Sequence, residues 1–170
     1  MKWRTLAGLF LLVWLASCAK HESLNTAYTP ITTFSGRLLV MAPKHRFQVE
    51  IDWQANEEKG QLRLTHALSG RVVFVRWQGH RMFWHDNHEQ LSWQPLSAQA
   101  LKDMGIILPP WQLAKIFLGQ MPDSMHSKDK RKWEGAWSGT PMQIKWSGNY
   151  KRLELIDYKH GQRAVVMIDG

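Results

Sequence analysis

Alternation of apolar and polar residues is the main pattern of this chain from residue 34 to residue 168. Its clearest example is Phe47, Val49, Ile51 and Trp53, which are separated by single polar or charged residues. This period of two residues predicts a β-strand with one buried face. Similar short segments are present at residues 36–40, 62–64, 72–77, 81–85, 89–93, 142–146, 153–156 and 164–168. Because turn sequences separate these segments, the pattern predicts an antiparallel sheet in which neighbours in sequence pair.

Two segments between residues 97 and 119 have a helical period instead. Ser97 is a suitable N-cap for a short helix that ends near Met104. Pro110 can begin a second helix, and Gly119 can end it. The apolar residues on one side of this second helix are Trp111, Ala114, Phe117 and Leu118. With a polar loop at residues 121–132, the sequence predicts a mainly β fold with a helical insertion, in which helices lie over one mouth of a curved antiparallel sheet.

The N-terminus has the composition of a bacterial export signal. Lys2 and Arg4 precede an apolar run at residues 6–15, which is shorter than the roughly 20 residues that span a bilayer as a helix. The sequence Leu-Ala-Ser-Cys that ends at Cys18 is similar to a lipobox, the signal in which the cysteine becomes acylated. The alternative is an ordinary secretory signal with a cysteine nearby. Cys18 is the only cysteine in the chain, which favours lipidation and excludes an intramolecular disulfide or a multi-cysteine zinc site.

The lipobox divides the chain into three parts. We expect a lipoprotein signal peptide at residues 1–17, a lipidated N-terminus and tether at residues 18–33, and one folded domain at residues 34–170. The fifteen residues that follow Cys18 in the tether could span about 50 Å if fully extended. In lipoproteins of the enterobacterial type, Asp after the cysteine favours the inner membrane. Ala19 therefore predicts attachment to the periplasmic face of the outer membrane.

A basic and tryptophan-rich composition narrows the set of partners. Without Lys2 and Arg4, the mature chain has 20 basic and 14 acidic residues, which suits anionic phospholipid headgroups. Nucleic acid is a poor partner for an exported lipoprotein. The basic run at residues 128–132 is either a solvated loop or a contact for anionic lipid. Eight of the ten tryptophans lie in the mature chain, where they either fill the core or line an apolar cavity.

Motifs for catalysis are missing from the sequence, which contains no Gly-rich phosphate loop, no nucleophile elbow and no suitable pair of carboxylates. His80, His85 and His88 could suggest a metal site together with Asp86 and Glu89. Their spacing is not that of a ligand motif, and solvated turns are the favoured interpretation. We therefore expect a protein that is not an enzyme and uses no cofactor or metal. A membrane-tethered hydrolase is the weakest alternative.

The order of several motifs resembles the LolB family of outer-membrane lipoprotein receptors, the last component of the Lol lipoprotein-sorting pathway. The motifs extend from the first predicted strand to the last. They are Gly36-Arg37-Leu38, Phe47 with Trp53-Gln54, Leu62-Arg63-Leu64-Thr65-His66-Ala67-Leu68-Ser69-Gly70, Leu108-Pro109 with Leu113, Phe117-Leu118-Gly119 and Pro122, and Gly161-Gln162-Arg163 with Ile168-Asp169. The resemblance covers most of residues 34–169 and depends on their order and spacing together with the lipobox.

The resemblance implies an unclosed antiparallel β-barrel with an α-helical lid over an apolar cavity, as in LolA and LolB. Such a protein accepts acylated lipoproteins from a LolA-like periplasmic carrier and inserts them among the phospholipids of the outer membrane, and we expect it to be a monomer. The candidate residues for the acyl cavity are Phe47, Val49, Ile51, Trp53, Leu64, Trp111, Ala114, Phe117 and Trp146. The alternative is an envelope lipoprotein of the same fold that acts as a scaffold or binds another amphiphile.

The resemblance also implies a membrane-insertion loop with an exposed leucine. The matching segment is residues 65–70, in which Leu68 lies between Ala67 and Ser69. The family loop usually has Pro before the leucine and Gly after it, so this loop could be held less rigidly. The tether is a second departure, because the family has a helical segment before the first strand and residues 19–33 leave little room for one.

Overall fold

The computed structural model describes residues 28–88, 92–104 and 106–169, which form one antiparallel sheet of eleven strands with two short helices. Cys18 and the predicted signal peptide lie outside the described residues. The strands are β1 Thr33–Ala42, β2 His45–Ala55, β3 Lys59–His66, β4 Arg71–Gln78, β5 Arg81–Asp86, β6 Gln94–Leu96, β7 Met125–Ser127, β8 Lys132–Trp137, β9 Thr140–Ser147, β10 Arg152–Asp157 and β11 Gln162–Ile168. The helices are α1 Ala98–Asp103 and α2 Pro110–Phe117.

The strands follow one another in the sheet with a single long-range pairing. Across the sheet their order is β6-β5-β4-β3-β2-β1-β11-β10-β9-β8-β7. The pairing of β1 with β11, in register from Gly36 opposite Ile168 to Met41 opposite Arg163, joins the two halves of the sheet. β6 and β7 therefore lie at opposite edges and do not pair within the described ranges. The predicted mainly β, unclosed antiparallel fold with a helical insertion is confirmed.

Both predicted helices are present, with the expected signals at their ends. The Ser97 side chain accepts a hydrogen bond from the backbone N–H of Ala100 at 3.1 Å, which caps α1. Pro110 is the first residue of α2, where a missing N–H has no cost. The chain leaves α2 through Gly119, whose φ of 79° lies in the left-handed region, and its N–H bonds to the carbonyl of Ile116 at 3.0 Å.

The core forms where α2 covers one side of the sheet, which we call the inner face. Ile116 and Phe117 of α2 are fully buried. The Phe117 ring centroid lies 5.2 Å from that of Trp53 and 5.8 Å from that of Trp146, so α2 contacts both halves of the sheet. Burial of each such side chain contributes about 1.5–3 kcal/mol to folding. The helix is thus part of the core in this conformation.

Three local predictions for the chain are wrong. The strand expected at residues 89–93 does not include residues 92 and 93, and residues 89–91 lie outside the described residues. β6 begins at Gln94, and the Trp93 ring before it lies 4.1 Å from the guanidinium carbon of Arg76. The loop expected at residues 121–132 contains β7, and β8 was missed altogether. Residue 135 of β8 is a glycine because a Cβ there would lie 2.1 Å from the carbonyl oxygen of Ser124. The close approach of β7 explains the interruption of the apolar pattern.

The chain from Tyr28 to Thr32 packs against the domain, although its sequence pattern placed it in the tether. The Tyr28 hydroxyl donates to the carbonyl of Phe117 at 2.7 Å, and the backbone N–H of Ile31 donates to the same carbonyl at 2.7 Å. The N-terminal segment therefore holds the C-terminal end of α2. None of the helices in the described ranges is both long and apolar enough to cross a membrane.

Candidate functional site

The antiparallel order places all the turns at one of two ends of the sheet. The turns at residues 43–44, 67–70, 138–139 and 158–161 lie at one end, which we call the hairpin end. The turns at residues 56–58, 79–80 and 148–151 lie at the other, the N-terminal end, where the Tyr28 ring lies 5.0 Å from that of Tyr150. The two ends separate Leu68 from the start of the described chain.

Leu68 lies at the tip of the turn between β3 and β4. Its side chain is 95% exposed, the highest value among the large hydrophobic residues in the described part of the chain. The turn is shorter than the segment expected from the sequence, because β3 continues to His66 and β4 begins at Arg71. Ala67 and Ser69 lie on either side of Leu68 within this turn. An isolated exposed leucine is common, so its significance depends on how it is held.

Hydrogen bonds within the turn hold Leu68 in place. The carbonyl of His66 accepts from the N–H of Ser69 at 3.2 Å and from that of Gly70 at 3.0 Å. The Ser69 hydroxyl lies 2.9 Å from Nδ1 of His66 and accepts from the N–H of Arg71 at 3.3 Å. Ser69 and His66 thus brace the turn by side-chain hydrogen bonds.

A buried carboxylate supports the base of this turn. Asp86, at the end of β5, is fully buried and lies 2.5 Å from Nε of Arg71. It also accepts from the N–H of His88 at 2.8 Å. Removing one partner of a buried ion pair is costly, so this contact fixes the start of β4 to the end of β5. Within the described ranges no group of three or more His, Cys, Asp or Glu side chains is placed to hold a metal ion.

The nine residues expected at the acyl cavity divide into two groups. Five are buried in the core beneath or within α2: Ile51, Trp53, Ala114, Phe117 and Trp146. The other four are half-buried: Phe47, Val49, Leu64 and Trp111. Because α2 occupies the middle of the inner face, the first group forms a solid core in this conformation. The second group, apart from Trp111, lies on strands β2 and β3 toward the hairpin end.

An apolar part of the inner face stays partly uncovered between α2 and the hairpin end. Its half-buried residues, which we call the open inner face, are Leu38, Phe47, Val49, Leu64 and Val73. Leu38 is paired with Val49, and Leu64 with Val73. Leu38 and Val73 were absent from the predicted site, although their strand period places them on this face. The open inner face connects the Leu68 turn to the core beneath α2.

A groove of about 660 Å³ on the opposite side of the sheet is a poor acyl site. Gln54, Gln61 and Arg76 line it together with Phe83. These polar and charged side chains point to the outer face and would not replace the hydration of an acyl chain by apolar contacts. The open inner face is the better candidate because its five residues are apolar and three of them, Leu38, Leu64 and Val73, pack against the core.

The indole N–H of Trp53 is a buried donor that lacks an acceptor among the residues that the structure describes. The Trp53 side chain is only 3% exposed and packs against Phe117 of α2. An unpaired buried donor costs about 1–3 kcal/mol. The contact between α2 and the sheet therefore includes one unfavourable feature as well as its large apolar area.

Comparisons with known proteins identify the family of the chain. No curated protein matches the sequence. A solved structure, that of a LolA superfamily protein from Nitrosomonas europaea, aligns at 13% identity over 84% of this chain and 86% of that chain, with a TM-score of 0.44. The model of the family described as outer membrane lipoprotein LolB matches residues 32–164, which is most of the chain. Proteins of that family bind lipoproteins in the Lol pathway and are not enzymes. The chain belongs to the LolB family, and its role is lipoprotein binding in the Lol pathway.

Proposed function

We propose that this protein receives acylated lipoproteins from a LolA-like carrier on its inner face and inserts them into the outer membrane, to which acylated Cys18 attaches it. The position of Leu68 carries this proposal. The leucine is 95% exposed at the same end of the sheet as the open inner face. By entering a bilayer, such a side chain gains about 1.5–3 kcal/mol. The turn can thus bring the acyl site to the membrane while the sheet stays in water.

The acyl chains first contact the open inner face and then replace α2 in the core. Ile116 and Phe117 are the fully buried side chains that would have to leave. Burying four methylene groups contributes about 3 kcal/mol, as much as one fully buried Ile or Phe side chain. An acyl chain of ordinary length can therefore offset the loss of both.

Release to the membrane needs no nucleotide. A bilayer buries the whole acyl chain, whereas the open inner face leaves its own residues half-exposed and α2 competes for the core. Cargo therefore moves toward the environment that covers more of its apolar surface. The lid helix makes binding weak enough for release.

A transfer assay with a matched variant tests the proposal. The mature chain with Cys18→Ser should take acylated lipoprotein from a LolA-like carrier and deliver it to phospholipid vesicles. Leu68→Glu should bind cargo normally and deliver it at least tenfold more slowly, because the added charge opposes entry into the bilayer. Met104→Glu adds the same charge at α1, on a side chain that is 49% exposed, and should deliver normally. Equal delivery by Leu68→Glu and Met104→Glu would refute the role of the turn.

An envelope scaffold of the same fold is the second candidate function, and one observation favours it. Five of the nine residues expected at the cavity form a solid core with α2. A scaffold needs no opening of that core. Native mass spectrometry of the protein mixed with acylated lipoprotein separates the two functions, since a scaffold forms no complex that depends on the acyl chains.

A further inference from the structure

A strongly basic surface lies at the N-terminal end of the sheet, whereas Leu68 lies at the hairpin end. It is formed by the connection from β7 to β8, the neighbouring strand β9 and the turn into β10. Its cations are Lys128, Lys130, Arg131, Lys132, Lys145, Lys151 and Arg152, of which all except the half-buried Arg152 are exposed. Lys132 and Lys145 are direct partners across β8 and β9. Like charges in this position repel each other, and the neighbouring carboxylates Glu134 and Glu154 reduce this repulsion.

Three carboxylates lie among or beside these cations, and each has a local partner. Glu154 lies opposite Lys145 across β9 and β10, and its carboxylate is 2.5 Å from Nε of Arg163. One oxygen of Asp129 accepts from the N–H of Arg131 at 2.9 Å and from that of Lys132 at 3.0 Å, and these hydrogen bonds lower the pKa of Asp129. Glu134 lies 2.7 Å from the Lys132 ammonium group. Within the described ranges, Lys128, Lys130 and Lys151 have no carboxylate at ion-pair distance. Most of the positive charge is therefore available to an external anion.

The basic surface lies beside the point at which the described chain begins. The guanidinium of Arg131 is 5.9 Å from the Tyr150 ring centroid, and the Tyr150 ring is 5.0 Å from that of Tyr28. Ten residue steps separate Tyr28 from Cys18, so an anchor at Cys18 could be at most about 33–36 Å away. This limit replaces the 50 Å expected for a tether that ended at residue 33.

We propose that this basic surface binds anionic phospholipid headgroups and holds the domain with its N-terminal end on the bilayer between deliveries. The positive charge of the surface complements such headgroups. The acylated Cys18 proposed above keeps the surface close to them, so the resting position depends on that anchor. Leu68 then faces away from the membrane toward incoming cargo. Delivery requires the domain to turn over. The ten residues of β1 span about 33 Å, which is the approximate distance between the two ends of the sheet. The extended tether has about the same length, so it just allows the hairpin end to reach the bilayer.

Vesicle binding by the unlipidated chain tests the surface independently of the anchor and of cargo transfer. The mature chain with Cys18→Ser is sedimented with vesicles of phosphatidylethanolamine and phosphatidylglycerol, and with vesicles of phosphatidylethanolamine alone. We expect binding only to the first, with weakening as salt increases. The variant Lys128→Gln/Lys130→Asn/Lys151→Gln should bind about a hundredfold more weakly, from about fivefold for each cation near a membrane surface. Asn is used at residue 130 because φ there is 57°.

A control variant removes the same charge elsewhere. Lys44→Gln/Lys102→Gln/Lys159→Gln changes three exposed lysines outside the basic surface, two of them in turns at the hairpin end. It should retain binding within about fivefold, and both variants should unfold at the temperature of the parent. Equal loss in the two variants would show non-specific attraction and overturn the proposal. Loss of vesicle binding only in the control variant would place the membrane contact at the hairpin end. Binding of an acidic carrier protein without binding of vesicles would assign the basic surface to a protein partner. Either result would overturn the proposal.

Discussion

Tyr28→Phe tests whether the N-terminal segment holds the lid helix closed. The change removes the hydroxyl that donates to the carbonyls of Phe117 at 2.7 Å and Ile116 at 3.2 Å, while the ring stays between Trp146 and Tyr150. Phe117 keeps a second donor, the N–H of Ile31 at 2.7 Å. The closed position of α2 should therefore lose about 0.5–1 kcal/mol of stabilisation, which is at the low end for one hydrogen bond. The open form of α2 should become about two- to fivefold more populated.

Hydrogen exchange measured by mass spectrometry gives the population of the open form. Amides at residues 114–120 should exchange about two- to fivefold faster in Tyr28→Phe, while those of the central strands β1 and β11 should be unchanged. Uptake of acylated cargo should accelerate by a similar factor if opening limits it. Tyr158→Phe is the matched control, because its hydroxyl accepts a hydrogen bond from Gln143 at 2.6 Å on an exposed surface at the hairpin end. Equal exchange at residues 114–120 in both variants would refute the coupling of Tyr28 to α2.

Four further variants and conditions test other parts of the structure. Ser69→Ala should speed amide exchange at residues 69–71 and slow delivery, with a change in stability below about 1 kcal/mol because the turn is exposed. Asp86→Ala should lower the free energy of unfolding by about 2 kcal/mol in denaturant titration, less than for a fully buried pair since Arg71 is 44% exposed. Gly135→Ala should cost about 3 kcal/mol or more by the same method, because its Cβ would meet the Ser124 carbonyl. Burial raises the pKa of Tyr28 above its usual 10.0, so stability should fall as pH rises above 10.0, and Tyr28→Phe should remove this part of the loss.

The sequence predicted the elements whose pattern is local. The alternation around Phe47 and Trp53 predicted β2, and Ser97 and Gly119 predicted helix ends that the structure confirms. The family resemblance is likewise confirmed. β8 was missed because Gly135 and the neighbouring charges interrupt its apolar period. The reason for that glycine, the close approach of β7, is a long-range contact that no local pattern contains.

The interior shows a second limit of prediction from sequence. The stripe on α2 indicated which residues are apolar, yet the period of a helix does not specify what those residues contact. The structure brings Phe117 against Trp53 and Trp146, so residues expected at a cavity are core in this conformation. The role of Tyr28 was equally hidden, since a single tyrosine in a polar segment has no periodic partner. The resemblance implied an exposed leucine in this turn, and the structure gives Leu68 an exposure of 95%.

Photo-crosslinking of cargo tests whether acyl chains occupy the inner face by displacing α2. A lipoprotein with a photoreactive group along its acyl chain is transferred to the mature chain with Cys18→Ser, irradiated and mapped by mass spectrometry. We expect cross-links to Val49 and Leu64 of the open inner face and to Trp53 beneath α2, which is 3% exposed without cargo. Cross-links confined to the outer-face groove around Gln61 and Arg76, or their absence from Trp53, would contradict this expectation.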